Sequence, residues 1–256
     1  MAIRSIIINV SDLERSVEFY RTFFEVVPVE ITGDSAVLDA VTARIVLSRV
    51  AAPEDSTWDT DDLQRGFRHV GFKVADLDSR VELLHAAGVP FHLEPINAEG
   101  GVRITFFYDP DGTLLELVEG PLQYHEVYDR DAVEGDWNLG DPDRPRFDHV
   151  AETVADIEAT TAYFGQLGYG LMSGIHQPND PRGFEINFLR NGDSSLEIFT
   201  YSGAEKTYRT PQLSARGFAA VEFEGHLPHG AVPVAEIDGR AFVADPDGLV
   251  HTVVTE

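Results

Sequence analysis

Three stretches of this chain repeat one another, and that repetition narrows the possible folds more than any other feature. Residues 5–24 read SIIINVSDLERSVEFYRTFF, residues 69–88 HVGFKVADLDSRVELLHAAG, and residues 149–168 HVAETVADIEATTAYFGQLG. Each is a short strand-like run, then an Asp (Asp12, Asp76, Asp156) suited to a helix N-cap, then a helix. Apolar residues recur on one helical face at Leu13, Val17, Tyr20 and Phe24, at Leu77, Val81 and Leu84, and at Ile157, Thr161 and Phe164. Gly88 and Gly168 suit helix exits in the left-handed conformation.

Strand-like stretches joined by turn residues follow each helix. Asp109-Pro110-Asp111-Gly112 turns one strand of the second repeat into the next, and Asp245-Pro246-Asp247-Gly248 does the same near the C-terminus. Asn191-Gly192 takes that place in the third repeat. The chain therefore reads as an α+β protein of four βαβββ modules, at 1–50, 67–121, 147–202 and 214–256. The fourth is eroded: Phe218 precedes Gly230 too closely for a full helix between them. Residues 122–146 are acidic, rich in Pro and Gly and without periodicity, and read as a linker. Chain order thus gives a first pair of modules at 1–121, the linker, and a second pair at 147–256.

Composition excludes several classes of function. There are 19 Lys plus Arg against 44 Asp plus Glu, a formal net charge of −25. Phosphate backbones and anionic lipid would repel such a chain, which argues against nucleic-acid and membrane partners. No Cys is present, so disulfides, thiolate metal sites and Cys nucleophiles are excluded. The absence of an 18-residue apolar run and of a signal-peptide pattern in MAIRSIIINVSDLERS leads us to expect a cytoplasmic protein.

Strand alternation selects the residues that face away from the helices. In 69–74, Val70, Phe72 and Val74 form the apolar face, which turns His69, Gly71 and Lys73 to the other side. Glu116 shares a face with Leu114 and Val118, where a carboxylate is costly unless paired or coordinated. The third module repeats this with His149 and Glu197. Ser5 and Val46 occupy the corresponding places in module one, and Phe218 and Thr252 in module four.

The module starts of the form H-V-x-x-x-V-x-D and the ends of the form F-x-D-P-D-G-x-x-x-E-L resemble the vicinal oxygen chelate superfamily. This group includes glyoxalases, bleomycin-resistance proteins and extradiol dioxygenases. The resemblance implies two cup-shaped mixed β-sheets, each built from two modules. A His from the first strand and a Glu from the last strand of each module serve one metal. It also makes each half of the chain, 1–121 and 147–256, a glyoxalase-like pair.

Two pairings of modules are open. If one joins two and three joins four, each cup holds one His and one Glu. If two joins three, a single cup collects His69, Glu116, His149 and Glu197. The second is favoured, because loss of complementary half-sites would be a coincidence under the first. Two imidazoles and two carboxylates suit one divalent transition metal, such as Zn, Ni, Co, Mn or Fe. The resemblance implies a metal-dependent lyase or isomerase acting on a small oxygenated substrate, with Glu116 and Glu197 as catalytic bases. An extradiol-type dioxygenase and a metal-free, antibiotic-sequestering binding protein are the alternatives.

Arg103 and Tyr108, near the middle strands of module two, are candidate substrate contacts, with His92 beside them. Trp58 and Trp137 sit in acidic connecting segments and read as packing over loops, with a place lining a ligand entrance as the alternative. His251 alternates out of phase with Thr252 and should point away from its cup. Four modules can complete both cups within one chain, so a monomer suffices, with homodimerisation through other surfaces open.

Overall fold

The computed structural model describes residues 3–51 and 53–255. Module one runs β1 (Ile3–Val10), α1 (Leu13–Phe24), β2 (Val27–Ile31), β3 (Ser35–Asp39) and β4 (Arg44–Arg49). Module two runs β5 (Gly66–Val74), α2 (Leu77–Ala86), β6 (Phe91–Asn97), β7 (Arg103–Tyr108) and β8 (Leu114–Glu119). The connecting segment carries β9 (Glu126–Val127) and α3 (Arg130–Asn138). Module three follows as β10 (Arg146–Thr153), α4 (Ile157–Gly165), β11 (Gly170–His176), β12 (Phe184–Asn191) and β13 (Ser194–Tyr201). Module four is β14 (Gly217–Glu224), β15 (Val232–Ile237), β16 (Arg240–Ala244) and β17 (Val250–Val254), with no helix.

The helix caps follow the sequence reading. The carboxylates of Asp12, Asp76 and Asp156 accept backbone N–H groups of Arg15, Ser79 and Ala159 respectively. The connecting segment departs from it. Asp129 caps α3 in the same way, and Val133 is the helix's one buried residue, so no apolar stripe advertises it.

Two mixed sheets result. The first has eight strands in the order β15-β16-β17-β14-β1-β4-β3-β2, and the second nine, β6-β7-β8-β5-β10-β13-β12-β11-β9. The first sheet joins modules one and four, the second modules two and three, each through an antiparallel pair of first strands. The halves 1–121 and 147–256 therefore do not coincide with the sheets, since each gives one module to each sheet. Helix α1 connects the two layers: Phe24 packs its ring 4.3 Å from Phe72 and 6.1 Å from Phe107 of the second sheet.

The two Asp-Pro-Asp-Gly turns lock the layers at their ends. Asp109 accepts the N–H groups of Asp111 and Thr113 and the Tyr20 hydroxyl, while Gly112 takes φ +92°, a conformation open to glycine. Asp245 accepts the N–H groups of Asp247, Gly248 and Leu249. Glu152 lies fully buried beside Asp245 and Asp247, and no N–H or O–H donor among the described residues reaches either of its oxygens. Burial, and then these two carboxylates, push Glu152 well above the usual carboxylate range. Burial likewise raises Asp245 to about 7 and Asp109 to about 6.

These shifts fix the sign of a pH dependence. A carboxyl whose folded-state pKa is raised holds its proton more tightly when folded, so its stabilisation is present at low pH. That stabilisation is lost as pH rises through the folded value. The metal-free protein should therefore melt several degrees higher at pH 6 than at pH 8, a change of about 1–3 kcal/mol. Glu152→Gln should flatten the difference in a calorimetric scan; a melting point that instead rises from pH 6 to pH 8 contradicts the assignment.

Candidate metal centre

At the middle of the second sheet, β5 and β10 run antiparallel with His149 opposite Gly71 and Ala151 opposite His69. Parallel neighbours extend both rungs, placing Glu116 beside Gly71 and Glu197 beside Ala151. The two rungs are thus Glu116–Gly71–His149 and His69–Ala151–Glu197, each with a small residue between its His and its Glu.

The four side chains converge. The two Nε2 atoms are 3.0 Å apart. His69 Nε2 lies 3.2 Å from Glu116 Oε2 and 3.1 Å from Glu197 Oε2. His149 Nε2 lies 3.1 Å and 3.3 Å from the same two oxygens. Atoms so spaced surround a point roughly 2 Å from each, about a zinc–nitrogen or zinc–oxygen bond length. Among the described residues these four form the one group of His, Asp or Glu donors so gathered. Glu116 Oε2 is buried, and its polar neighbours are the two Nε2 nitrogens, neither aligned for a hydrogen bond, so a cation between them would satisfy it.

Electrostatics bind the set together. Burial disfavours a proton on His149, but Glu197, Asp148 and Glu116 outweigh it and hold the imidazole well above its usual pKa. Glu197 stays far below the carboxylate range in spite of its burial, held there by His149 and His69. Asp148 Oδ2 is 3.0 Å from His149 Nδ1. An N–H at Nδ1 donated to this carboxylate leaves the Nε2 lone pair facing the centre.

Asp148 reaches its neighbour through a device the sequence does not display. The β10–β5 register skips Asp148 between Phe147 and His149, and skips Arg68 between Phe67 and His69. The β1–β14 register skips Arg4 before Ser5 and Ala219 before Ala220. Each module thus has a β-bulge immediately before its ligand position. Asp148 and Arg68 line the same cavity as the histidines they precede.

The same register corrects the reading of module four. Ile7 pairs with both Val46 and Ala220, and Glu222 pairs with both Ser5 and Thr252. The position equivalent to His149 is therefore Ala220. Phe218, two residues earlier, stacks on Phe67 at 3.7 Å. The first sheet offers Ser5, Val46, Ala220 and Thr252 where the second offers four ligands, and Ile7, Phe242 and Val250 form a small apolar cluster there.

Gly71 also escaped the sequence reading. A Cβ built on it would overlap the His149 imidazole. The ring lies across the bare strand, and a Gly in mid-strand is the signal for such an approach.

The site opens into a cavity of about 390 Å³. Phe106 and Phe199 stand 5.0 Å and 5.9 Å from the His69 ring, and Ile104, Tyr124, Trp137 and Phe188 continue the lining. Arg103, expected to contact substrate, lies elsewhere. It alternates onto the helix face of β7, where it pairs with Asp78 at 2.6 Å and Glu119 at 3.2 Å. Tyr108 is also outside the lining, its hydroxyl 3.3 Å from His92, which is part of it. Trp58 packs as expected and donates to the Phe67 carbonyl. Trp137, read as packing over a loop, instead lines the cavity. His176 is exposed beside Glu126 and Glu185. His251 faces away from its cup, 3.1 Å from the Tyr163 hydroxyl.

Comparison with known proteins identifies the family and the fold. A protein-family model described as the Glyoxalase/Bleomycin resistance protein/Dioxygenase superfamily matches residues 2–117. The uncharacterized protein YwkD of Bacillus subtilis (strain 168) is 32% identical over 126 residues, which cover 46% of this chain and 96% of YwkD. The chain belongs to this superfamily. A probable chloroplastic lactoylglutathione lyase of Arabidopsis thaliana is 30% identical over 128 residues, 45% of this chain and 35% of that protein. Among solved structures, glyoxalase I from Zea mays superposes with a TM-score of 0.67 at 18% identity, covering 99% of this chain and 92% of that one. A putative dioxygenase from Bacillus subtilis gives 0.61 at 15% identity, covering 100% and 85%. The superfamily chain thus has the glyoxalase fold along its whole length. No helix among the described residues is long and apolar enough to cross a membrane.

Proposed function

We propose that the second sheet's cup holds one divalent transition metal through His69, Glu116, His149 and Glu197. On this reading the chain is a metal-dependent lyase or isomerase of its superfamily, acting on a small oxygenated substrate. The observation that carries the proposal is the convergence of two imidazole nitrogens and two carboxylate oxygens, each nitrogen 3.0–3.3 Å from the other three atoms and one oxygen otherwise orphaned.

When bound, the ion supplies Lewis acidity, stabilising negative charge that develops on a substrate oxygen. The chain does the rest. Asp148 holds the Nδ1 proton of His149 and so keeps Nε2 free to ligate. Glu116 and Glu197 approach from strands on opposite sides of the His pair. A proton taken from a substrate carbon by one carboxylate can be returned to the neighbouring carbon, the step an isomerase requires.

The test is exchange of carbon-bound hydrogen for solvent deuterium, followed by NMR across a panel of α-hydroxy ketones and aldehydes. Protein verified to hold its metal should exchange at least one of them faster than the free ion does, and Glu116→Gln and Glu197→Gln should abolish the excess. Exchange no faster than the free ion across the panel contradicts the lyase or isomerase reading.

A further inference from the structure

We propose that the cavity beside the metal ligands takes an organic cation, a body carrying a quaternary or protonated nitrogen that sits on the wall built by residues 122–146. The ligand's oxygens turn toward the four metal-binding side chains; in that respect alone the inference rests on the metal reading above.

The wall presents π surface rather than hydrogen-bond donors. Tyr124 and Trp137 lie nearly parallel, 6.4 Å between centroids and 14° between planes, and Phe188 meets Tyr124 edge-on at 5.3 Å. Trp137 Nε1 is already committed to the Leu122 carbonyl at 2.9 Å, and the Tyr124 hydroxyl to Asp136 at 3.0 Å. What remains for a ligand is the negative face of the rings, the surface that attracts a cation. Trp137 is 42% exposed, so that surface is reachable.

The charges around the cavity point the same way. Once a divalent ion offsets Glu116 and Glu197, five lining carboxylates face three lining cations, Arg68, Lys73 and Arg146. All three already donate within the protein. Arg68 donates to the carbonyls of Asp61 and Thr60 and to Asp62, Lys73 to the carbonyl of Gly120, and Arg146 to the carbonyls of Leu139 and Gly140. The carboxylates are less fully matched. Asp141, four residues from Trp137, has no hydrogen-bond or ion-pair partner among the described residues, and Glu99 reaches only His125, at 4.0 Å. An anionic ligand would meet more fixed negative charge than positive. A cation would meet both the rings and two underused carboxylates.

Three probes with one chelating head separate these cases: 4-(trimethylammonio)benzohydroxamate, benzohydroxamate and 4-carboxybenzohydroxamate. Each is titrated calorimetrically into zinc-reconstituted and zinc-free protein, with affinities corrected for binding to free zinc. The cationic probe should bind zinc-loaded protein about tenfold or more tighter than the carboxylate, with the neutral probe between them. Trp137→Leu and Asp141→Asn should each shrink that ratio about threefold. Equal affinities, or preference for the carboxylate, overturn the inference and leave the metal centre standing. Affinities indifferent to zinc across all three probes overturn both.

Discussion

Gly71→Ala should lower metal affinity as much as His149→Ala does, about 10²- to 10³-fold, although residue 71 contributes no ligand atom. The added methyl would occupy the space of the His149 imidazole, and the ring must leave its position opposite Glu116 and Glu197. Because both changes remove the same ligand, the double variant should be no worse than either single one. Asp148→Asn makes the series graded. Its amide keeps an oxygen near Nδ1 but loses the charge that orients the ring, so a loss of about 10- to 100-fold is expected. Competition against a chromophoric chelator measures all of these. A Gly71→Ala protein that is folded and binds metal normally would show that His149 is not held across the strand.

The largest effect on stability is expected at Phe24. It is fully buried, and its ring joins module one's helix to Phe72 and Phe107 of the second sheet. Truncation to Ala leaves a cavity at the junction of the layers and should cost about 3–5 kcal/mol. The four proposed ligands all lie within the second sheet, so the variant should bind metal as the unmodified protein does at temperatures where it is folded. Urea unfolding followed by circular dichroism reads the loss. A cost under about 1 kcal/mol would mean that the layers are held together elsewhere.

The repeated strand–Asp–helix units and the two Asp-Pro-Asp-Gly turns made the modules legible, because caps and tight turns are written in neighbouring residues. The four side chains that converge were legible for a related reason. Period-two alternation sets His69 and Glu116 opposite an apolar face, and the third module repeats the arrangement. What escaped depends on contacts between strands distant in sequence. Asp148 belongs on the opposite face from His149 by simple alternation, and only the bulge brings it round. The fourth module's equivalent position, Ala220 rather than Phe218, is likewise fixed only by the pairing between distant strands. Arg103 was credited with reaching the substrate from its place in the chain, whereas its parity on β7 sends it to Asp78. The helix within 122–146 gave no periodic signal because it buries a single residue, yet it brings Trp137 to the cavity.

Modules two and three share one cup, which on the proposed reading binds one metal ion. The most direct test of that reading is elemental analysis of protein stripped of metal, reconstituted with zinc and desalted. One zinc per chain is expected, falling to near zero in the His69→Ala, His149→Ala double variant. Near-zero occupancy in the unmodified protein, or undiminished zinc in the double variant, would contradict it.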